Sequence, residues 1–193
     1  MESSLVGTAT LNPRPKLWTA TELHRAVGQD LLDSFRKIEL IEGVLYEKMG
    51  QNDAHLSTLS WTQEALRLAF AGSGVILAGG TLRLDDHSEP EPDVLVLRAR
   101  ALNVPTAAEV LLLVEVSDTS LAFDLGRKAA LYARHGIPEY WVVDVTNRLL
   151  YVHRLPDPAT GTWQDRRVLA HTLSVEVLPG HLLQIAELFP PVA

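Results

Sequence analysis

Residues 111–117, LLLVEVS, form an apolar run that a single glutamate interrupts. An apolar run without alternating polar residues predicts a strand that is buried on both faces. An ionised carboxylate taken out of water costs several kcal/mol unless it is paired, so Glu115 requires a partner inside the protein. Glu115 is therefore the first candidate for a functional residue.

Apolar periodicity and turn residues predict the other elements. Residues 19–27 and 52–71 have the spacing of helices, and residues 36–49 form a hairpin that turns at Glu42-Gly43. SLAFDLGRKAALYARHG, residues 120–136, predicts an amphipathic helix that ends at its glycine. Further strands are predicted at VILAGG (75–80), TLRL (81–84), 94–98, EYWVVDV (139–145), LLYVHRL (149–155) and twice near the C-terminus, and HLLQIAELF (181–189) predicts a last helix.

The order strand, helix, strand over residues 111–145 predicts two parallel strands joined by a right-handed crossover. The hairpins on either side predict antiparallel pairs. We therefore expect a mixed α/β fold (α+β mixed) with a central mixed β-sheet and flanking helices. The chain lacks the repeated β-α alternation and the glycine-rich phosphate loop of doubly wound nucleotide-binding proteins.

Composition limits the classes of function. A length of 193 residues suits one domain, which we expect at 17–193. Residues 1–16 are expected to form a flexible N-terminal leader without a secretory signal. No apolar run reaches the ~18 residues of a membrane span. The absence of cysteine excludes disulfides and zinc–thiolate sites and fits a cytoplasmic location. The net charge of −7 means that nucleic acid would have to bind in a local cleft rather than through the overall field.

Asp93, in PDVLVL (92–97), is the predicted partner of Glu115. If the two strands pair antiparallel with Arg98 opposite Val110, the same register places Asp93 across from Glu115, with Cβ atoms roughly 4.5–5.5 Å apart. Two buried carboxylates at that distance repel each other, and a divalent cation such as Mg²⁺ or Mn²⁺ removes the conflict. A register shift of one residue would place the acids on opposite faces.

Lys128 is predicted to reach the same place. On a helical wheel of about 100° per residue it lies in the middle of the apolar stripe that contains Leu121 and Tyr132. Two turns into the helix correspond to roughly 10 Å, which brings Lys128 back beside Glu115. Asp93, Glu115 and Lys128 together therefore predict a site.

Each of these residues also has an ordinary structural interpretation. Glu115 and Lys128 alone would make a buried ion pair. Lys128 could extend from the edge of the stripe to solvent or pair with Asp124 at i, i+4. Asp93 alone would be a turn residue. It is the coincidence of all three that favours a site.

Three further polar residues are weaker candidates on pattern alone. His55 faces inward from the first turn of a helix, where a hydrogen-bonded core histidine is the commoner role. Glu39 alternates with apolar neighbours, which predicts an exposed strand residue. Asp144, at the end of a buried strand, is predicted to be a local turn acceptor.

PDVLVL (92–97) and LLLVEVSDTSLAFDLGRKAALYARHGIPEYWVVDV (111–145) resemble the Uma-two family of restriction-endonuclease-like proteins, within the PD-(D/E)XK nuclease superfamily. The resemblance runs from about residue 17 to residue 189 and is strongest over 90–145. ELIEG (39–43) is similar to the family's early segment. The resemblance implies a restriction-endonuclease-like fold, a Mg²⁺ or Mn²⁺ cofactor and duplex DNA as the partner.

The resemblance also implies roles for particular residues. Asp93 corresponds to the motif aspartate and Glu115 to the motif glutamate, which would hold the metal together with the carbonyl of Val116. The superfamily's lysine usually follows the glutamate by two residues, where this chain has Ser117. In this chain Lys128, on the helix, would fill the role of that lysine. The chemistry requires an ammonium group at a given position in the folded site and not at a given position in the sequence.

Two active-site candidates come from the resemblance only. Glu39 lies in the matching early segment, and His55 stands where such members carry a histidine near the start of the next helix. Glu39 would bind a second ion or steer the lysine.

The leading hypothesis from the sequence is a metal-dependent endonuclease that hydrolyses DNA and acts as a homodimer, since enzymes that cut both strands often pair. The first alternative is a catalytically silent nuclease fold that serves as a binding or assembly module. The second is a metal hydrolase of another phosphodiester such as RNA, although no common RNA-binding motif is present.

Overall fold

The computed structural model describes residues 14–32, 38–48, 50, 52–178 and 181–191. The strands, in chain order, are β1 (Ile38–Ile41), β2 (Val44–Glu47), β3 (Val75–Ala78), β4 (Val94–Leu97), β5 (Val110–Ser117), β6 (Glu139–Asp144), β7 (Leu149–Asp157), β8 (Thr162–Ala170), β9 (Ser174–Leu178) and β10 (His181–Gln184). The helices are α1 (Ala20–Gly28), α2 (Asp53–Ala69), α3 (Leu121–Phe123) and α4 (Ala129–Arg134), with short 3₁₀ turns at Ala107–Glu109 and Ile185–Leu188.

A six-stranded mixed sheet of order β3-β4-β5-β6-β7-β8 is the centre of the fold. Strands β5 and β6 are parallel, and the other neighbouring strands of this sheet are antiparallel. The parallel pair is joined by α3, a π-helical turn (Asp124–Lys128) and α4, which together we call the crossover helix. The predicted mixed α/β fold with a central mixed sheet is confirmed.

The core lies on both faces of this sheet, as the uninterrupted apolar strands predicted. Alternate residues of β5 separate into two clusters: Val114 packs with α2, and Leu113 packs with the crossover helix. Each fully buried Val or Leu side chain contributes about 1.5–3 kcal/mol relative to an exposed one. Because side chains alternate along a strand, Glu115 lies on the face of Leu113, which the crossover helix covers.

The register between β4 and β5 is the predicted one over three pairs, Val94↔Val114, Leu95↔Leu113 and Val96↔Leu112. Continued by one residue beyond β4, it places Asp93 opposite Glu115. The predicted pair of Arg98 with Val110 is wrong, because Leu97 occupies that position. A β-bulge adds one residue to β5 at this point, and the extra residue shifts the register only at the far end from Asp93.

Local sequence signals explain how the elements near Asp93 and Glu115 begin and turn. Asn52 caps α2 by accepting a hydrogen bond from the backbone N–H of His55 at 2.9 Å. The β1–β2 hairpin turns at Glu42 and Gly43, which have φ angles of 51° and 78°. Both residues are in the left-handed region that a two-residue type I′ turn requires. The predicted hairpin is confirmed.

Two predicted elements are wrong. TLRL (81–84) is not a strand, because only an isolated bridge from Arg83 to Thr106 forms there. Residues 181–189 form β10, paired with β9, followed by a 3₁₀ turn instead of a helix. The buried residues of that segment begin with the two-residue spacing of a strand and are Leu183, Ile185, Leu188 and Phe189.

The predicted leader, residues 1–16, falls outside the described residues up to residue 13, so the division into a leader and one domain stays a prediction. Through the described ranges, no helix combines the length and the apolar character needed to cross a membrane.

Candidate active site

Asp93, Glu115, Lys128 and Glu39 line one cavity of about 320 Å³ at the end of β4. Asp93 directly precedes β4, Glu115 lies on β5, Lys128 ends the π-helical turn, and Glu39 lies on β1. The four residues are between 2% and 6% exposed. The fold therefore brings together, in a buried setting, four of the residues that the sequence singled out.

The ammonium group of Lys128 lies among three carboxylates. Its Nζ is 3.0 Å from Glu115 Oε1, 3.1 Å from Glu39 Oε2 and 3.9 Å from Asp124 Oδ1. Burial alone would lower the pKa of Lys128, but the negative charges around it raise the pKa well above its usual value. Lys128 is therefore a fixed cation, and the alternative in which it extends to solvent is wrong.

Asp93 is held at the edge of the sheet by the strand beside it. Its Oδ2 accepts a hydrogen bond from the backbone N–H of Val116 at 2.8 Å, while Lys48 Nζ lies 3.7 Å from Oδ1. His55 Nε2 lies 4.0 Å from Oδ2. Burial, followed by the negative charge of Glu115, raises the pKa of Asp93 to about 6. At the Asp93 carboxylate, burial and the charge of Glu115 therefore outweigh the positive charges of Lys48 and Lys128.

Asp124 belongs to the same cluster, although pattern indicated it only as an i, i+4 partner of Lys128. Its Oδ2 accepts hydrogen bonds from the hydroxyls of Ser117 at 2.9 Å and Ser120 at 2.6 Å. Burial and the charge of Glu115 raise the pKa of Asp124 to about 7. The sequence indicated Asp124 only through its position, four residues before Lys128 on the predicted buried face of the helix.

Tyr132 was assigned to the apolar stripe, and its hydroxyl gives it a second role. The hydroxyl donates a hydrogen bond to Glu115 Oε1 at 2.9 Å from a fully buried ring. Burial, with the charge of Glu115, raises the pKa of Tyr132 well above its usual value. Tyr132 is therefore a neutral donor that fixes the orientation of the Glu115 carboxylate.

Glu39 was predicted to be exposed on pattern alone, and that prediction is wrong. Its side chain is buried, contacts Lys128, and accepts a hydrogen bond from the backbone N–H of Glu91 at 3.2 Å. The alternation failed because both faces of β1 are covered, as the buried run from Glu39 to Ile41 shows. His55 also lines the cavity, with a side chain 12% exposed, whereas Asp144 accepts hydrogen bonds from Asn147 as the predicted turn acceptor.

Asp124 and Lys128, which both face the cluster, stand at the two ends of a π-helical turn. The backbone N–H of Ala129 bonds to the carbonyl of Asp124, five residues back, instead of four. Such turns are rare and occur mostly as single insertions in helices, frequently at functional sites. The wider turn carries Asp124 and Lys128 inward together, one beside the serines of the β5–α3 connection and the other beside Glu115.

The charges of the site fit a divalent cation. Among the described residues that line the cavity, the buried carboxylates of Glu39, Asp93, Glu115 and Asp124 face the ammonium groups of Lys48 and Lys128. When all are ionised, two negative charges remain in excess. Burial, followed by the charge of Glu115, raises the pKa of two of these acids, Asp93 and Asp124, and a cation in the cavity would offset that negative charge.

The donor atoms for such an ion are few but suitable. Within the described residues, no three His, Cys, Asp or Glu side chains are placed as a ready metal site. Asp93, Glu115 and the carbonyl of Val116 would leave the remaining positions to water, as Mg²⁺ sites built on one or two carboxylates commonly do. In a β-strand, the N–H and the carbonyl of one residue point to the same side of the strand. Because the Val116 N–H points to Asp93, the Val116 carbonyl also faces the space beyond the end of β4.

Comparison with known proteins identifies a family and a similar fold. A family model described as Uma2, "Putative restriction endonuclease", matches residues 29–186. A crystal structure described as a putative nuclease belonging to DUF820 from Anabaena variabilis ATCC 29413 matches with a TM-score of 0.62 at 18% identity, covering 79% of this chain and 89% of that chain. At that identity the likeness concerns the fold. No curated protein matches the chain.

Proposed function

The chain belongs to the Uma2 family, described as "Putative restriction endonuclease", and we propose that it is a metal-dependent endonuclease that hydrolyses phosphodiester bonds of DNA. The family resemblance found in the sequence is thereby confirmed, and the fold is that of a nuclease structure. The observation that carries the proposal is the convergence of Asp93, Glu115 and Lys128 in one buried cavity, from three separate elements.

The proposed metal ligands are Asp93, Glu115 and the carbonyl of Val116. A bound Mg²⁺ or Mn²⁺ would supply a water of lowered pKa and polarise a phosphoryl oxygen. The Val116 N–H keeps Asp93 at the end of β4, and the Tyr132 hydroxyl keeps Glu115 in place. These contacts preorganise the two acids, so little reorganisation is needed when an ion and a phosphate arrive.

Lys128 is the proposed cationic catalytic residue. In hydrolysis a water oxygen forms a bond to phosphorus, the bond from phosphorus to one ester oxygen breaks, and the released oxygen takes up a proton. Negative charge grows on the phosphoryl oxygens in the transition state, and a fixed ammonium beside them stabilises it. The three carboxylates around Lys128 hold this ammonium in position and keep it protonated. Glu39 on β1 contacts Lys128 directly and is the proposed positioning residue for that lysine.

The test is cleavage of supercoiled plasmid DNA with Mg²⁺ or Mn²⁺ and with EDTA. We expect nicked and linear products only with metal, and none from Asp93→Ala or Lys128→Ala. Asp144→Asn is the matched control, because Asp144 is also a buried acid but its carboxylate bonds to Asn147 in a turn. Cleavage that survives EDTA, or either site substitution, would contradict the proposed site.

A second candidate is a non-catalytic binding or assembly module. The observation that favours it is that Lys128 already satisfies Glu39 and Glu115 through direct contacts, so the cluster is also a structural ion network. This function predicts no metal-dependent cleavage and no heat of Mn²⁺ binding in calorimetry. The endonuclease function predicts both.

Three further assignments belong to the same proposal. We propose a cytoplasmic location for the protein, and a homodimer, because two copies related by a two-fold axis would place one site on each DNA strand. We also rank DNA above RNA as the substrate. Light scattering with and without a short DNA duplex would measure the oligomeric state.

A further inference from the structure

The cavity has an aromatic wall as well as its acids and lysine. Tyr46 on β2 and Phe123 at the end of α3 both line it, with ring centroids 4.9 Å apart and an interplanar angle of 51°. The guanidinium of Arg127 lies 5.8 Å from the centre of the Tyr46 ring. Both rings are only partly buried, so part of each aromatic surface is open to an occupant of the cavity.

The dimensions of the cavity limit what can enter it. Its volume of about 320 Å³ is small compared with a DNA duplex, so only part of a nucleic acid can lie in it. Asp93 and Glu115 are only 6% and 2% exposed. A phosphate that reaches both carboxylates must therefore enter the cavity with little of its surroundings, which an intact stacked duplex does not permit.

An unpaired nucleotide satisfies both conditions. Its base is free to leave the stack, and bases pack well on aromatic side chains because every base has a π-face. Taking a base out of a duplex costs a few kcal/mol, and the cost is smallest for a nucleotide that is already unpaired. The aromatic wall would replace the lost stacking, and the exposed Arg127 would lie near a neighbouring phosphate.

We infer that the substrate is DNA with an unpaired nucleotide, whose base packs against Tyr46 and Phe123 while its phosphate reaches Asp93 and Glu115. This inference rests on the proposed endonuclease function and narrows its substrate from duplex DNA to single-stranded or locally unpaired DNA. The ordinary role of the two rings is to pack the hairpin against the crossover helix, since both contact the core on that face. That role requires no particular substrate and predicts no effect on base stacking.

The experiment compares three substrates of one sequence: a single strand, a fully paired duplex, and a duplex with one unpaired 2-aminopurine nucleotide. We expect kcat/KM to be at least about 10-fold higher for the single strand and the unpaired site than for the paired duplex. Stacking on Tyr46 or Phe123 should quench the 2-aminopurine fluorescence on mixing, before any cleavage occurs. Tyr46→Leu and Phe123→Leu should raise KM by about 5- to 100-fold and remove the quenching.

Two variants serve as controls for packing. Tyr46→Phe keeps the ring and should keep the quenching. Tyr151→Leu removes another partly buried ring that packs on the same core but does not line the cavity, and it should leave KM and the quenching unchanged. Melting curves confirm that each variant is folded.

The outcomes separate this inference from the function on which it rests. Equal cleavage of paired and unpaired DNA, or quenching that survives both leucine substitutions, overturns the inference and leaves the endonuclease intact. An RNA strand of the same sequence serves as a fourth substrate, and faster cleavage of that strand than of the DNA strand overturns DNA as the substrate. Failure to cleave all three substrates with either metal overturns the endonuclease, while the fluorescence, which needs no turnover, still reports whether a base reaches the aromatic wall.

Discussion

The Nζ atom of Lys128 lies 3.0 Å from Oε1 of Glu115, although the two residues are 13 positions apart and belong to a helix and a strand. The same oxygen accepts a hydrogen bond from the Tyr132 hydroxyl at 2.9 Å. The carboxylate is thus held from one side by two donors of the crossover helix. Asp93 lies opposite Glu115 in the β4–β5 register, and burial, followed by the charge of Glu115, raises its pKa to about 6.

Replacing Asp93 by asparagine should separate function from stability. Asparagine keeps an oxygen for the Val116 N–H but removes the charge that Glu115 repels. We expect metal-dependent cleavage to fall at least 100-fold. Without metal at pH 8, the free energy of unfolding should rise by about 1–2 kcal/mol, since a carboxyl whose pKa is raised costs stability when ionised. Urea unfolding and Mn²⁺ calorimetry measure the two effects, and a destabilised variant would contradict the charge argument.

Lys128→Met should abolish cleavage and destabilise the protein. Removing the ammonium that contacts Glu39 and Glu115 leaves buried carboxylates unpaired, which costs about 3–5 kcal/mol. Millimolar Mn²⁺ should restore part of the melting temperature, because a divalent cation compensates the same charges, but it should not restore cleavage. Lys16→Met is the control: Lys16 pairs with Glu22 on the surface, with a side chain 75% exposed. We expect that change to cost less than about 1 kcal/mol.

The stability of the metal-free protein should depend on the ionisation of Asp124. Its pKa is about 7 in the folded state and 3.8 as the ordinary value, so between these pH values the folded protein holds the extra proton. Stability from this group therefore falls as the pH rises through 7. The lowered pKa of His153, caused mainly by burial, acts in the opposite direction below the ordinary histidine value of 6.5.

Comparison with Asp124→Asn isolates the contribution of Asp124, because His153 is common to both proteins. In urea unfolding, we expect the free energy of unfolding of the variant to rise relative to that of the wild type by about 2 kcal/mol between pH 5.5 and pH 8.5. Mg²⁺ should reduce the difference by neutralising the cluster. A constant difference across this pH range would mean that Asp124 does not titrate there.

Tyr132→Phe tests whether the hydroxyl positions Glu115. Loss of a donor to a buried carboxylate should cost about 1–3 kcal/mol of stability and lower kcat roughly 10-fold, with a smaller change in KM. Tyr140→Phe is the matched control, because that buried hydroxyl donates to the backbone carbonyl of Asp124 at 3.0 Å instead of to a site carboxylate. Equal losses of kcat in the two variants would assign Tyr132 a structural role only.

The sequence predicted the centre of the fold because its signals there are local and redundant. An apolar run buried on both faces, followed by a helix and another apolar run, leaves few arrangements other than a parallel crossover. The pairing of Val94 with Val114 followed from counting back along two strands, and the bulge that misplaced Arg98 lies on the side away from the site. Lys128 was placed correctly because a charge in the middle of an apolar stripe must find partners.

The rest of the site depends on contacts that no local pattern encodes. Glu39 alternates like an exposed residue, and only the packing of its hairpin against the crossover helix buries it beside a lysine 89 positions away. Tyr132 has the spacing of a core residue, and the direction of its hydroxyl is a tertiary property. The segment at 181–189 has apolar residues at helical spacing, but pairing with β9 overrides the helix propensity of its first half.

The wide turn from Asp124 to Lys128 makes the number of residues in the crossover helix as important as their identity. Deletion of a single residue there, such as Gly126, would let the backbone close into an ordinary α-helix. Each residue of such a helix accounts for about 100° of rotation, so the deletion would keep either α4 with Lys128 or α3 with Asp124 in the present orientation, but not both. A change of length in this turn can therefore separate Asp124 from Lys128 without replacing any residue of the site, and a count of the residues between Asp124 and Ala129 is a simple criterion for this arrangement.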